Sequence, residues 1–381
     1  MILTHWSRVA ATVVGLLLLG TVLASCGSAP VAQNWPGLTV AEGNVYVISG
    51  IPQKVFILDA ETGRQKGTFV PQEETRGVVY WSPVTLGGGL AFVGFAEDGK
   101  DTAGLYAFDP ETGEELWHVP AASLIIGAPA YAEGMVYFGS SDGILHAVDV
   151  QARRESTTFS FRSEEAIWAS PLVREGRVYV AGMDHFVYCL DAQSGRVLWK
   201  TQVGGAMAAR PLWHDGTLYV GAFDGQVYAL DAETGTLLDG FHFQAGNWIW
   251  SEPLMADGRL YVTSLDGKLY ALDPATGEVI PPYPYDSHEI DGKKNVLRAG
   301  PVQAGGYIIV ATESGYVVAV EEGERRWTWP GGLPTAGVLT TPVVAGDTLY
   351  IALMNGQVQA LEAETGLTLP GWPFEPPSES K

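Results

Sequence analysis

An all-β, eight-bladed β-propeller with four-stranded antiparallel blades is the fold this sequence predicts, and three observations predict it. A phrase close to "GQVYALDAETG", residues 225–235, returns along the whole chain. Tight-turn pairs separate short apolar runs at matching places: Asp142-Gly143, Asp224-Gly225, Asp266-Gly267 and Asn355-Gly356. Helical periodicity of the apolar residues is almost absent beyond the first residues.

Aligned on their acidic residue, the eight copies are "VFILDAETG" (55–63), "LYAFDPETG" (105–113), "LHAVDVQAR" (145–153), "VYCLDAQSG" (187–195), "VYALDAETG" (227–235), "LYALDPATG" (269–277), "VVAVEEGER" (317–325) and "VQALEAETG" (358–366). The acidic positions, Asp59, Asp109, Asp149, Asp191, Asp231, Asp273, Glu321 and Glu362, are spaced by 50, 40, 42, 40, 42, 48 and 41 residues. Self-similarity at that period belongs to solenoids and propellers. Eight similar units suffice to close a ring, which removes the exposed ends a solenoid keeps.

Within a unit the elements follow in order, as in "SEPLMADGRLYVTSLDGKLYALDPATGEVI" (251–280). A first strand follows Pro253, at Leu254-Met255. Asp257-Gly258 turns the chain into a second strand, Arg259 to Ser264. Asp266-Gly267 makes the next turn, since a two-residue hairpin needs positive φ. Lys268 to Leu272 form the third strand, and the fourth begins at Glu278, after the turn ending in Gly277. In "QVYALD", Val227 and Ala229 face one way, Tyr228 and Leu230 the other, and all are apolar. A strand buried on both faces reads this way, as blades stacked on each side require. The small position holds Ala107, Ala147, Ala229, Ala271, Ala319 and Ala360, with Ile57 and Cys189 in the remaining copies. Asp231 can accept turn amides and Gly235 can take a positive φ. The phrase builds; its carboxylates are turn-formers and not an acid–base pair.

Composition narrows the function. Lys and Arg number 22 against 43 Asp and Glu, a formal charge of −21. Nucleic acid needs clustered cations, and anionic lipid needs a basic patch, so neither is an expected partner. Apolar residues make up 46%, enough for a sizeable core. Arg8 precedes the apolar run "VAATVVGLLLLGTVL" (9–23), which suits a signal-peptide core and is short for a membrane span. The run ends in "LASC", Leu23 to Cys26, which resembles the bacterial lipobox. That likeness implies a diacylglyceryl chain on the Cys26 thiol and cleavage just before it; the bland alternative is a plain secretory signal. The expected organisation is a lipoprotein signal peptide at 1–25, a tether at 26–34, the propeller at 35–374 and a flexible tail at 375–381. Cys189 is the only other cysteine, so a lipidated Cys26 leaves no internal disulfide.

"DPETGEELW" (109–117) and "DAQSGRVLW" (191–199) resemble the tryptophan-docking repeat of PQQ-type eight-bladed propellers. The likeness spans about residues 35–374 and implies that the Trp ending one blade packs onto a neighbour's turn. Trp117 and Trp199 match that position. Phe69, Phe241 and Tyr283 stand near it in other copies, and Trp327 in a shortened seventh repeat. One branch of this family, the quinoprotein dehydrogenases, is longer, binds Ca²⁺ and PQQ, and commonly carries two adjacent cysteines that this chain lacks. The other, the BamB-like lipoproteins, shares the lipobox, a single propeller of this length and the absence of a cofactor. Resemblance to the second branch implies a non-catalytic, monomeric, lipid-anchored scaffold of the cell envelope, on the periplasmic face of an outer membrane where there is one. Its partners would be envelope proteins such as a β-barrel assembly machine. The alternative is a PQQ-dependent or other propeller enzyme, or a carbohydrate-binding propeller, using the channel mouth.

Each linker between blades runs into a proline: Pro36, Pro83, Pro129, Pro171, Pro211, Pro253, Pro301 and Pro342. These linkers are expected to line one face around the central channel. Trp81, Trp168, Trp248 and Trp250 collect in them with Arg210, Glu252 and Arg298. Their functional reading is a partner or ligand site with aromatic anchors and a few charges. Their structural reading is indoles that cap blade interfaces and an arginine paired with Glu252. Cys189 reads as a small buried apolar residue. His214 in "WHDG" (213–216) reads as a turn residue, and His146 replaces the usual third-strand Tyr. "EDGKDTAG" (97–104) reads as an inserted hairpin whose carboxylates match no calcium loop. No zinc spacing, Walker loop or Ser-His-Asp signature is present, so no metal site or catalytic residue is expected. The tail "LPGWPFEPPSESK" (369–381) is expected to finish the last blade through Trp372 or Phe374.

Overall fold

The computed structural model describes residues 37–50, 53–72, 78–97, 102–293 and 295–377. The expected signal peptide, Cys26, the tether, Pro36 and residues 378–381 lie outside these. The described residues fold into eight antiparallel sheets, one for each copy of the phrase. Blade 1 runs Leu38–Ala41, Asn44–Gly50, Gln53–Asp59 and Gln65–Phe69. Blade 4 is equally regular, with Leu172–Arg174, Arg177–Ala181, Phe186–Asp191 and Val197–Gln202. Blade 6 follows the expected unit through its third strand, with Leu254–Ala256, Arg259–Thr263 and Lys268–Leu272.

Its fourth strand departs from expectation. Glu278 opens no continuous strand; Val279 alone bridges Leu272, and pairing resumes at Tyr285–Asp286. Pro281, Pro282 and Pro284 intervene, and proline has no amide to give a ladder. Blades 5 and 8 break in the same place, with single bridges at Leu237 and Thr368 before pairing resumes at Phe243–Gln244 and at Phe374. Blade 3 splits its outer strand into Arg154–Glu155 and Phe161–Arg162. Blade 2 gains a strand: Val78–Tyr80 pairs with the far end of Leu90–Glu97, while Thr85–Gly87 takes the usual innermost place. Glu97, at the start of the inserted hairpin, is only 8% exposed, and residues 98–101 lie outside the described set.

The core is a set of seams between blades. In blade 4, Val187 and Cys189 face Leu218 and Val220 of blade 5, whereas Tyr188 and Leu190 face Leu145 and Ala147 of blade 3. The third strand is thus buried on both faces. Cys189 is fully buried, and desolvation pushes its thiol up to about 11. Little thiolate exists there at neutral pH, so it packs and does not attack.

The acidic residue of the phrase holds its own turn. Asp231 Oδ1 accepts from the Thr234 amide at 2.7 Å and its hydroxyl at 2.8 Å, and Gly235 sits at φ 73°. Hydroxyl bonds from Thr62, Ser194 and Thr234 are the main reason Asp59, Asp191 and Asp231 titrate below the ordinary range.

In five blades a second-strand tyrosine, at Tyr46, Tyr137, Tyr179, Tyr219 and Tyr350, ties the next blade's turn to its own blade. Tyr46 donates to Pro110 O at 3.0 Å, Tyr137 to Ala192 O at 2.9 Å, Tyr219 to Pro274 O at 2.8 Å and Tyr350 to Ala60 O at 2.8 Å. Tyr137→Phe keeps the ring against Phe159 but strips the buried carbonyl of its donor. A loss of about 1 kcal/mol in urea unfolding is the expected result; an unchanged midpoint would show that the bond contributes nothing.

Docking follows the same seams. Trp199 Nε1 donates to Ala232 O at 3.2 Å, and its ring lies 2.5 Å from where a Cβ on Gly235 would stand. Trp327 meets Gly366 and Trp372 meets Gly63 in the same way. Phe241 and Tyr283 pack edge-on against Tyr219 and Tyr261, in the place where Trp199 lies tilted against Tyr179. Trp117 packs with Phe92 and Val150 in the seam to blade 3, whose turn has no glycine. Phe69 is out of place: Gly67 stands opposite Ile57, and Phe69 stacks on Phe108 with centroids 4.6 Å apart. The last seam joins Trp372, Phe374 and Tyr350 of blade 8 to Leu38, Val47 and Phe56 of blade 1. Among the described residues both end blades use only their own strands, and side-chain packing joins them.

Candidate binding rim along the blade linkers

Backbone bonds fix the linkers before any side chain matters. Met207 N donates to Gly182 O in blade 4 at 3.2 Å, and Ala206 O accepts from Phe223 N in blade 5 at 2.9 Å. One blade on, Ile249 N donates to Ala222 O at 3.1 Å and Trp248 O accepts from Leu265 N at 2.9 Å. These linkers are thereby threaded between the second-to-third-strand turns of two blades, and share one face with them.

Five of the seven predicted residues lie on the arc formed by blades 5 to 7. Trp248 and Trp250 both stack on Phe223, with centroids 4.9 and 4.8 Å apart and planes 14° and 16° apart. The Arg298 guanidinium stands 4.7 Å above the Trp250 ring, a cation–π contact. Its Nε donates to the Glu313 carboxylate. Arg210 Nη1 reaches Glu252 Oε1 at 3.4 Å. Desolvation pushes the Glu252 carboxyl up to about 7, against the lowering pull of Arg210. Trp248 keeps 36% of its surface open, and Trp250 is half-buried.

The other two stand elsewhere. Trp168 is 8% exposed and donates from Nε1 to Ser141 Oγ at 3.2 Å, filling the junction of blades 3 and 4. Trp81 is half-buried in blade 2, beside the added strand. The arc also holds residues that sequence reasoning passed over. Phe223 is one; where it stands, the sister turns carry Ser141, Met183, Leu265 and Met354, and that departure was the available signal. Trp213 is another, with the Arg174 guanidinium 3.5 Å above its ring.

The histidines take structural parts. His214 lies in a turn with Asp215 at φ 45° and reaches that carboxylate at 3.4 Å. His146 stacks on Phe138 at 4.7 Å and bonds Glu155 on one side and Ser140 on the other. Ser140 Oγ donates to Asp142 at 2.5 Å and is fully buried. This reproduces, through a relay, the bond that Tyr188 makes directly to Asp184 at 2.6 Å. The serine's proton is already committed to a carboxylate, so this Ser-His-Glu row is a strut and not a nucleophile.

The seams, turn glycines and docking indoles define the class: a closed eight-bladed propeller of PQQ-like repeats. The chain belongs to the family described as outer membrane protein assembly factor BamB, which matches residues 53–156 and 157–369. The outer membrane protein assembly factor BamB of Yersinia pestis is 26% identical over 320 residues, 80% of this chain and 79% of that one. The crystal structure of BamB from Moraxella catarrhalis superposes with a TM-score of 0.69 at 20% identity, covering 89% of this chain and 97% of that one. The computationally designed Ika8 protein reaches 0.69 at 16% identity, covering 87% and 97%. Likeness at these last two identities speaks for the fold alone.

Proposed function

We propose that this protein is a non-catalytic, lipid-anchored scaffold of the cell envelope that binds partner proteins during outer-membrane protein assembly. The family match along residues 53–369 carries the reading. The "LASC" leader ending at Cys26 supports the anchor. The arc of Trp248, Trp250, Glu252 and Arg298 is the partner surface in this reading, because rigid aromatic area costs little entropy to present. A quinone–calcium enzyme would need several oxygen ligands converging on the ion. Among the described residues, no three His, Cys, Asp or Glu side chains come together to hold a metal ion. The arc's carboxylates, Glu252 and Glu313, each face an arginine.

Recovery of the outer-membrane assembly machine with the full-length protein, after cross-linking in envelopes, tests this. Trp250→Ala and Arg298→Gln should each cut recovery about tenfold; glutamine removes the charge without setting a second carboxylate against Glu313. Cys26→Ala should shift the protein to the soluble envelope fraction. Full recovery with both rim variants would remove the arc as the partner surface, and an absorbance gain on adding PQQ and Ca²⁺ would favour the enzyme.

A further inference from the structure

We propose that a hollow in the channel wall between blades 4 and 5 binds a carboxylate carried on an apolar body the size of one leucine, with Arg210 as its guanidinium partner and Glu252 as the carboxyl it displaces. The hollow measures about 280 Å³. That is at or below the small end of drug-sized sites, roughly 300–1,000 Å³, and suits a single residue-sized group. Leu172, Pro211, Leu212 and Trp213 supply the apolar wall, and Arg174, Arg210 and Glu252 are the charged groups on it.

The charge arrangement points to an anion. In a chain with 22 cations and 43 acids, two arginines front one hollow that holds a single carboxyl. Arg174 lies over Trp213, and its ion-pair partner Glu175 is 75% exposed, a loose surface pair. Arg210 meets Glu252 through one nitrogen at 3.4 Å, where a guanidinium can hold a carboxylate by two parallel bonds. Arg210 therefore keeps donors for a better-placed carboxylate, and the apolar wall beside it would cover the ligand's body.

Glu252 makes this exchange dependent on protons. Arg210 from blade 5 is the charge that acts on it, and Arg174 from blade 4 shares the hollow. Crowding of its carboxyl outweighs the pull of Arg210 and pushes it up to about 7, although 36% of the side chain stays open to solvent. Above that point it is ionised, holds Arg210 and repels an incoming carboxylate. Below it, it is neutral and Arg210 is free to pair. The ligand's own carboxyl stays ionised throughout, so binding takes up a proton and tightens as the pH falls, by about tenfold from about pH 8 to about pH 6.

The inference rests on the partner-binding reading only in giving that arc a ligand chemistry, and soluble probes separate the two. Calorimetric titration of the full-length protein with N-acetyl-leucine, N-acetyl-leucinamide, and a leucine-terminated tetrapeptide in free and amidated forms is the test. The free acids should bind, and the amides should bind about tenfold more weakly or worse. A tetrapeptide tighter than N-acetyl-leucine assigns the site to a chain terminus; equal affinities assign it to small acids. Arg210→Gln should weaken the free acids about tenfold. Glu252→Gln should keep binding and flatten its pH dependence, which decides the matter even if Arg210→Gln fails to fold. Equal binding of acids and amides, no binding at millimolar probe, or an unchanged pH profile in Glu252→Gln would overturn the proposal. Loss of assembly partners with intact probe binding would sink the envelope reading alone.

Discussion

Trp372→Ala should destabilise the protein by about 3–5 kcal/mol, more than any other single tryptophan truncation on the outer strands. Trp372 is 7% exposed and lies in the seam between the last blade and the first. Its ring packs edge-on to Tyr350 at 5.6 Å and stands 3.1 Å from the Cβ position of Gly63. Every other seam joins blades that also follow one another along the chain. This one joins residues about as far apart in sequence as the ring allows, so its contacts must offset the largest loop entropy. Urea unfolding followed by tryptophan fluorescence would read the loss. The counterpart is Trp248→Ala on the rim, where 36% exposure predicts less than about 1 kcal/mol. Equal losses in the two variants would mean that the closing seam carries no special weight.

Gly235→Ala should cost about 3 kcal/mol, and Gly258→Ala about 1 kcal/mol, although both glycines have nearly the same backbone. Gly235 lies at φ 73° and Gly258 at φ 71°. Any residue with a Cβ pays for that left-handed conformation. At Gly258 nothing stands within 4 Å of the added carbon. At Gly235 the carbon would lie 2.5 Å from the Trp199 ring, which is also held by its bond to Ala232 O. The ring must move, and the seam between blades 4 and 5 opens with it. Paired thermal melts would show the difference; coincident melting curves would show that the indole yields without cost.

The number of blades was legible in the sequence because a blade is local. Its hairpins join neighbouring strands, so every turn pair and every doubly apolar third strand leaves its mark within some forty residues. The tyrosine ties at Tyr46, Tyr137, Tyr179, Tyr219 and Tyr350 were not legible, because their partners lie 53 to 64 residues onward, or 290 back for Tyr350. The outer strands were not legible. An edge strand pairs on one side only, so prolines at 281, 282 and 284 could interrupt it without unmaking the blade. Phe69 was a misalignment: Gly67 follows Asp59 at the same distance as Trp117 follows Asp109 and Trp199 follows Asp191, and the outer-pairing irregularity that seats it recurs in blades 2, 4 and 7.

By itself the sequence determined the repeat, the doubly buried strands, the turn chemistry and the set of linkers free to vary. Only the tertiary structure decided which linker residues form a site. Trp168 and Trp250 each stand three residues before a blade-opening proline and are indistinguishable by position. Trp168 meets Ser141 of the adjoining turn and sinks to 8% exposure, whereas Trp250 meets the equivalent Phe223, stacks on it, and carries Arg298 above its ring. A small polar neighbour leaves room for an indole to enter the junction, and a large ring fills that room and holds the indole at the rim. Because those neighbours arrive from a different part of the chain, blade stacking and not local pattern divides packing residues from presented ones.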